Sequence, residues 1–444
     1  MILVGEADME SASSEGFVKV GHIARLNPSS SELSKVDGDT DVSFIPLDGF
    51  GVKGEITYRE TRSLEDVIDE YTYFSEGDIA IAKITPSFEN GKGAVCDSLE
   101  NGIGFGTTEI HVLRAKEGIE PKFLWYALRT KRFRDGAEAA MRGSAGQQRV
   151  PSEFITNYEI PDYDLDKQRK IVDYIESYLS NIREASQRCQ SLIESSRAEI
   201  DSLIIDVVTR GIGGNSQTID SDVGWIGEVP EHWDVVRTRF VAELHSGHTP
   251  DRSNDEYWED TDIPWVTTSD IKPFREGRKR YLYETEHQIN ELGMENSGAH
   301  LLPEGTVFLS RTASVGFSGI MGEPMATSQD FANWVCSDEI IPEYLLYVFR
   351  SMEQEFNRLM QGSTHQTIYM PDIKSFKTPL PPLEEQREIV DHIETETERL
   401  WELIDRVEET IDLLEEKRQA LITAAVSGQI DVSDVKNEAK ASHI

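Results

Sequence analysis

Apolar residues recur at seven-residue intervals near the end of the chain. In residues 384–431, alternating steps of three and four residues produce a narrow apolar seam, while most other positions carry charge. This pattern is typical of a coiled-coil helix. Prolines precede the seam and Gly428 follows it, as expected for the start and end of a helix. A seam this narrow predicts a partner helix.

A second stretch, residues 166–210, has the same pattern and is followed by three glycines. It predicts another long helix. The seam residues are Ile175, Ile182, Ile193, Ile200 and Leu203 in the earlier helix, and Ile393, Leu400, Ile404, Val407, Ile411, Leu414 and Leu421 in the later one.

The second half of the chain repeats the first. Gln168 and Gln386 open the two helices 218 residues apart, and the seams keep this spacing without a gap. Upstream, PKFLWYALRTKRF is similar to PEYLLYVFRSMEQ. A repeat of this size predicts the order domain, helix, domain, helix.

The stretches before the two helices show short strands and turns. In the first, residues 78–84 predict a strand, the glycine-rich stretches 90–93 and 101–106 predict turns, and a helix is expected after Pro121. Each stretch therefore predicts an α+β domain.

The predicted fold is α+β, with two similar globular α/β domains separated by a pair of long antiparallel coiled-coil helices and an internal pseudo-two-fold repeat. Helices of about 43 residues would be about 65 Å long. The expected boundaries are a disordered lead-in at 1–16, a first domain at 17–162, a first long helix at 163–212, a linker at 213–232, a second domain at 233–379, a second long helix at 380–430 and a flexible tail at 431–444.

The chain is strongly acidic. It has 81 acidic and 44 basic residues, a net charge of -37, yet 38% of its residues are hydrophobic and regularly patterned, which argues against disorder. The acidic residues are spread along the whole chain. This distribution favours a protein from a salt-rich cytoplasm, and an ordinary acidic surface is the alternative.

Several classes of protein are disfavoured by what the sequence lacks. Its three cysteines are far apart, which argues against a zinc site or a disulfide framework. The N-terminus does not resemble a signal peptide, and no run of about 18 apolar residues predicts a membrane span. We expect a cytoplasmic protein.

No catalytic or metal-binding motif is recognised. GxxxxGK[ST], HExxH, EF-hand and GxSxG patterns are absent. The stretch GIGFG is interpreted as a hairpin turn, and EEK at 415–417 as charge pairing along a helix. We expect no catalytic residue and no metal site.

Polar loops supply the candidate binding residues, because Arg, Gln, Ser and Thr can bind base edges and phosphates. Solvated loops are the alternative for any single residue. A polar Gly-Ser loop occurs at the same repeat position in both domains, which favours binding. The DNA-binding candidates are Tyr58, Arg59, Arg62, Lys83, Thr85, Arg142, Ser144, Gln147, Gln148, Arg149, Ser246, His248, Thr249, Lys272, Arg278, Lys279, Arg280, Arg311, Thr312, Gln329, Ser363, Thr364, His365 and Gln366.

The stretches LPPLEEQREIV, EEKRQALITAAVSGQID and GWIGEVPEHWDVVR resemble the specificity subunit of type I restriction-modification systems. The resemblance extends from about Phe17 to Asp431. The first copy departs from the pattern, with PDYDL where the second has PLPPL.

The resemblance implies a non-catalytic subunit that reads double-stranded DNA. Each domain would recognise one half of a bipartite target, and the helices would fix the spacer and dock two methyltransferase subunits. S-adenosylmethionine would be bound by those partners and no cofactor by this chain, and motor and nuclease subunits would join for cleavage. A chain at -37 must then present Arg and Lys on the side that faces DNA.

The alternative is a coiled-coil scaffold with two protein-interaction domains and no DNA role, which the acidic charge favours. Under the DNA-binding interpretation, changing Arg278 or Lys279 should weaken binding at many sequences. Changing a base-reading residue should instead alter the preference at one half-site.

Overall fold

Two long helices are the largest elements of the chain, and they begin 218 residues apart. The computed structural model describes residues 16–144, 146–214, 216–361 and 366–432. The helices are α1 (Val20–Ile23), α2 (Leu64–Val67), α3 (Pro121–Ala127), α4 (Lys131–Ala140), α5 (Ser152–Asn157), α6 (Leu165–Arg210), α7 (Glu291–Glu295), α8 (Pro342–Arg350), α9 (Glu353–Met360), α10 (Met370–Ile373) and α11 (Leu383–Val426). The long helices are α6 and α11, and each covers the stretch whose seam predicts it.

The chain forms two compact units, and each contains part of both long helices. The first lies within Met1–Arg188 and Thr410–Ile444, and the second is Cys189–Glu409. The strands of the first unit are β1 (Phe17–Lys19), β2 (Ala24–Leu26), β3 (Asp41–Ile45), β4 (Glu60–Ser63), β5 (Thr72–Ser75), β6 (Ile79–Ala82), β7 (Gly93–Val95), β8 (Ile103–Gly106), β9 (Ile110–Ala115) and β10 (Glu159–Pro161).

The first unit contains two four-stranded sheets, ordered β2-β9-β6-β7 and β4-β3-β8-β5, and the pair β1-β10. The strand predicted at 78–84 is β6. The predicted turn at 101–106 is wrong at residues 103–106, because β8 pairs there with β3 and β5. A Cβ on Gly104 would lie 2.1 Å from the Phe74 ring, so this glycine allows close packing within a strand.

The second unit repeats this arrangement with a larger main sheet. Its sheets are ordered β14-β21-β18-β19-β16 and β17-β15-β20. Its strands, preceded by the short pair β11 (Thr218–Asp220) and β12 (Glu228–Pro230), are β13 (Asp234–Arg237), β14 (Ala242–Ser246), β15 (Ile263–Val266), β16 (Tyr281–Leu282), β17 (His287–Ile289), β18 (Val307–Ser310), β19 (Ser318–Met321), β20 (Ala326–Thr327), β21 (Phe331–Cys336) and β22 (Lys377–Leu380). The order β2-β9-β6 in the first unit corresponds to β14-β21-β18 here.

Short 3-10 helices connect several of these elements. They are Ser30–Leu33, Leu47–Gly49, Glu100–Gly102, Thr238–Phe240, Asp255–Tyr257 and Lys272–Phe274.

Within each unit the two long helices run antiparallel. In the first unit, Ile175 near the start of α6 shares a buried cluster with Ile422 near the end of α11. In the second unit, Ile200 near the end of α6 shares a cluster with Ile393 near the start of α11. Both clusters also include the α3 or α8 helix, so the long helices are part of the core of each unit.

Burial of the predicted seam residues is uneven. Six of them are buried, namely Ile175, Ile182, Ile200, Ile393, Ile404 and Val407. The others are half-buried, namely Ile193, Leu203, Leu400, Ile411, Leu414 and Leu421. Arg418 is also buried, and so is Trp401, which the predicted seam did not include.

The repeated glutamines join the long helices to the rest of each unit. Buried Gln168 accepts a hydrogen bond from the Glu120 N–H and donates one to the Tyr163 carbonyl. Buried Gln386 accepts from the Ile341 N–H and donates to the Pro381 carbonyl. Because Glu120 and Ile341 cap α3 and α8, each glutamine holds two helices together at the same repeat position.

Two predicted segments lie largely outside the described residues. The predicted lead-in at 1–16 is described only at Gly16, and the predicted tail at 431–444 only at its first two residues, where Val432 is buried. The stretch predicted as a linker, 213–232, contains the hairpin formed by β11 and β12. Val229 of this hairpin is fully buried in the core of the second unit.

Candidate nucleic-acid interface

In the first unit, the loop after β6 pairs with the Gly-Ser loop. Ile84 forms a β-bridge with Arg149, and the Thr85 N–H donates to the Gln148 carbonyl at 2.9 Å. We call residues 83–85 together with 142–144 and 146–149 the first loop cluster. It brings together six sequence-predicted residues besides Ser144, namely Lys83, Thr85, Arg142, Gln147, Gln148 and Arg149.

An acidic residue fixes the first loop cluster. Arg149 donates from Nε and Nη2 to the two carboxylate oxygens of Glu109, both at 2.8 Å. These hydrogen bonds lower the pKa of Glu109 and raise that of Arg149. Arg149 is thus already paired, while the exposed side chains of Arg142, Ser144 and Gln147 face solvent.

A buried histidine lies beneath the same cluster. The His111 ring lies 2.9 Å through Nε2 from the Val150 carbonyl, and Nδ1 lies 3.5 Å from the Asn27 side-chain amide nitrogen. Burial lowers the pKa of His111, and the nearby Lys83 charge lowers it further. A neutral ring that donates from Nε2 and accepts at Nδ1 satisfies both contacts.

The second unit has a corresponding arrangement after β18. Thr312 forms a β-bridge with Thr367, and the Ala313 N–H donates to the Gln366 carbonyl at 3.2 Å. We call residues 248–249, 311–312, 329–330 and 366–367 the second loop cluster. It brings together six predicted residues, namely His248, Thr249, Arg311, Thr312, Gln329 and Gln366.

Side-chain hydrogen bonds link the segments of the second loop cluster. Thr312 Oγ1 donates to Asp330 at 2.5 Å, and Arg311 Nε donates to the Gln329 carbonyl at 2.9 Å. The Thr249 hydroxyl donates to the side-chain oxygen of Gln329.

The turn at 246–250 fits against the strand that precedes Gln329. A Cβ on Gly247 would lie 2.1 Å from the Ser328 carbonyl, so only glycine permits this close approach. Ser246 is the last residue of β14 and is exposed.

The same repeat positions build both clusters. Arg149 and Thr367, which form the bridges, are 218 residues apart. Glu109 and Asp330 each directly precede the strand, β9 or β21, that lies at the centre of the corresponding order. Sequence reasoning missed these two acids, although their position just before a repeated strand is a signal that could have identified them.

The basic run 278–280 lies against α11. Arg278 donates to Asp405 at 2.7 and 3.0 Å, and Arg280 forms an ion pair with Glu394. Arg350 donates to the Lys279 carbonyl at 2.7 Å. Arg278 remains half exposed, and Lys279 is exposed.

Three candidates of the first unit lie at β4 and the segment before it. Tyr58 donates to Glu60 at 2.9 Å, and Arg62 donates to the same carboxylate at 2.6 Å. The Arg62 guanidinium also lies 3.7 Å from the centre of the Phe44 ring. Arg59 donates to the Ser98 carbonyl at 2.6 Å. Their contacts join them to the sheet β4-β3-β8-β5 rather than to the first loop cluster.

The remaining candidates fall elsewhere. Lys272 is exposed at the start of a 3-10 helix. The candidates Ser363, Thr364 and His365 lie outside the described residues.

In the described part of the chain, no group of three or more His, Cys, Asp or Glu residues is arranged to hold a metal ion. Cys96, Cys189 and Cys336 are free thiols. Across the same residues, no helix combines the length and the apolar character needed to cross a membrane.

Comparison with known families agrees with this architecture. Residues 230–421 match the type I restriction modification DNA specificity domain. The matched residues include the second domain and most of α11. The match covers less than half of the chain, and this part is similar to the specificity domain of type I restriction-modification systems.

Individual specificity subunits are similar over parts of the chain. The subunit of the type I restriction enzyme EcoAI from Escherichia coli is 34% identical over 218 residues, which are 49% of this chain and 36% of that protein. The MjaIX subunit from Methanocaldococcus jannaschii is 31% identical over 166 residues, or 37% of this chain and 38% of that protein. The chain therefore spans little more than a third of the length of these curated relatives.

A similarity in fold extends over nearly the whole chain. A chain from a structure of type I R-M complex assembly and conformational transition superimposes with a TM-score of 0.72 and 21% identity, covering 94% of this chain and 99% of that one.

Proposed function

We propose that this chain is a specificity subunit of a type I restriction-modification system and reads a bipartite DNA sequence, with one half recognised by each globular domain. The long helices set the length of the spacer between the halves. The chain itself contributes recognition and no catalytic step.

The observation that carries this proposal is the repeated loop cluster. Both clusters contain one β-bridge between the segment after a corresponding strand, β6 or β18, and a later residue, Arg149 or Thr367. Their side chains differ, since the bridge joins Ile84 to Arg149 in one cluster and Thr312 to Thr367 in the other. Equivalent positions with different side chains suit two half-sites of different sequence.

The partners follow from this role. Double-stranded DNA binds the loop clusters, two methyltransferase subunits dock on the charged outer faces of the long helices, and motor and nuclease subunits join for cleavage. S-adenosylmethionine is bound by the methyltransferase subunits and no cofactor by this chain.

The acidic composition supports a further part of the proposal. A net charge of -37 spread along the chain suits a halophilic prokaryote with a salt-rich cytoplasm, where these subunits would meet DNA.

Sequencing of methylated bases in the source cells, with and without this gene, tests the proposal. We expect one bipartite motif, with a methylated adenine in each half, to disappear when the gene is removed. A gene copy supplied on a plasmid should restore the same motif.

An unchanged set of methylated motifs would contradict the proposal and favour the scaffold alternative. In that case the full chain should also fail to bind duplex DNA at low salt, where phosphate contacts are strongest.

A further inference from the structure

Gln329 presents an oriented amide at the surface of the second loop cluster. Its side chain is exposed, and its oxygen accepts a hydrogen bond from the Thr249 hydroxyl. This bond occupies one of the two lone pairs of the oxygen and restricts rotation of the amide. Among residues 216–361 and 366–432, no group accepts from the amide nitrogen of Gln329.

The free groups of this amide are complementary to adenine. One oxygen lone pair can accept from the adenine N6 amino group, while the amide nitrogen donates to N7. This bidentate contact in the major groove is the usual way in which Gln recognises adenine. Thr249 fixes the amide before DNA arrives, which reduces the entropy lost on binding.

Arg311 lies beside Gln329 and is anchored in a similar manner. Its Nε donates to the Gln329 carbonyl at 2.9 Å, and its backbone N–H donates to the Asp330 carbonyl at 2.8 Å. The terminal nitrogens Nη1 and Nη2 have no hydrogen-bond or ion-pair partner in the described part of this unit. Two parallel N–H donors match the O6 and N7 acceptors of guanine.

We propose that Arg311 and Gln329 form a purine-reading pair, in which Arg311 recognises a guanine and Gln329 an adenine in the half-site of the second domain. The pair rests on the proposed function, because it needs DNA at the second loop cluster. Thr249 acts as a positioning residue that holds the Gln329 amide.

Binding to modified DNA tests the pair once the target motif is known. The full chain, purified with its methyltransferase subunits, is titrated with duplexes that carry 7-deazaadenine or 7-deazaguanine at one purine at a time. These analogues lack the N7 acceptor and otherwise pair normally. The chain variants are Gln329→Ala and Arg311→Ala, with Gln288→Ala as the control at an exposed glutamine of the same unit.

We expect one 7-deazaadenine position to weaken wild-type binding about 10-fold and to have no further effect on Gln329→Ala. One 7-deazaguanine position should behave in the same way with Arg311→Ala. Gln288→Ala should respond to every analogue like the wild type. If the losses in affinity from the analogue and from the substitution add independently at every purine, the pair is overturned. An Arg311→Ala variant whose binding is weakened equally at all sequences would also overturn it, because this result indicates a phosphate contact.

The positioning role of Thr249 has its own readout. Thr249→Val removes the hydroxyl and should reduce discrimination between adenine and 7-deazaadenine several-fold, while Thr249→Ser should restore it. If Thr249→Val distinguishes adenine from 7-deazaadenine as well as the wild type does, Thr249 has no positioning role. If the wild-type complex does not distinguish the target from a scrambled duplex, the proposed function itself fails rather than the purine-reading pair.

Discussion

Two polar residues, buried His111 and half-buried Glu109, hold the first loop cluster. His111 supports its base through Val150, while Glu109 holds Arg149 from the side. The folded protein keeps the His111 ring neutral, because burial lowers its pKa and the Lys83 charge adds to this effect, while the hydrogen bond to Val150 opposes it. The unfolded chain has no such preference.

This difference predicts an acid-dependent loss of stability in the first unit. A histidine with a lowered pKa contributes stability above its ordinary value of about 6.5, and loses it as the pH falls towards the folded value. We expect the unfolding free energy to decrease as the pH falls from about 7 to about 5. The substitution His111→Asn should remove part of this decrease. Urea unfolding at several pH values measures it.

The matched control is His22→Asn at an exposed histidine of the same unit. It should show the same dependence on pH as the wild type. If His111→Asn and His22→Asn cannot be distinguished from the wild type across this range, the buried neutral histidine does not contribute to the acid response.

At the scale of elements, the long helices were predictable from their seven-residue pattern and from the 218-residue repeat. The residues buried by the domains were less predictable. Trp401 is buried because α11 packs against the core of the second unit there, in addition to α6. A helix with two kinds of neighbour buries a wider face than a two-helix seam.

The sheets and the loop clusters were also only partly predictable from the sequence. The place of residues 147–149 and Gln366 in the two loop clusters could be predicted, because a Gly-Ser loop precedes each at the same repeat position. The parallel pairing of β3 with β8 could not, since the partners are distant in sequence and the local pattern does not specify them. Asp330 and Glu109 were missed because an isolated acid in an acidic chain carries little signal before its strand is located.

Packing of the long helices gives a test at this scale. Ile393 is fully buried in the core of the second unit, whereas Leu413 on the same helix is 63% exposed. We expect Ile393→Ala to lower the unfolding free energy by about 2–5 kcal/mol, and Leu413→Ala by less than about 0.5 kcal/mol. Urea unfolding compares them. Equal losses would mean that Ile393 is not a core residue.

At the scale of the whole molecule, charge is the dominant feature. Ion pairs within the chain, such as Arg278 with Asp405, neutralise part of the positive charge. The net charge of -37 leaves strong mutual repulsion among the acidic residues. The screening length is about 3 Å at 1 M salt. Added salt therefore weakens the repulsion and should favour the folded state.

The thermal midpoint of unfolding should therefore rise as KCl increases from about 0.1 M to about 2 M. Sucrose at matched osmolarity, which leaves charges unscreened, should raise the midpoint less than KCl does. A midpoint that is unchanged or falls in KCl would contradict adaptation to a salt-rich cytoplasm.

The central claim is that the two domains read separate halves of one target. The most direct measurement is methylated-base sequencing of cells that carry the wild-type gene, the Gln147→Ala variant of the first loop cluster, or the Gln329→Ala variant of the second. We predict that Gln147→Ala changes the base preference in one half of the motif only, and Gln329→Ala in the other half only. Changes that fall in the same half, or an identical motif in all three strains, would contradict the claim.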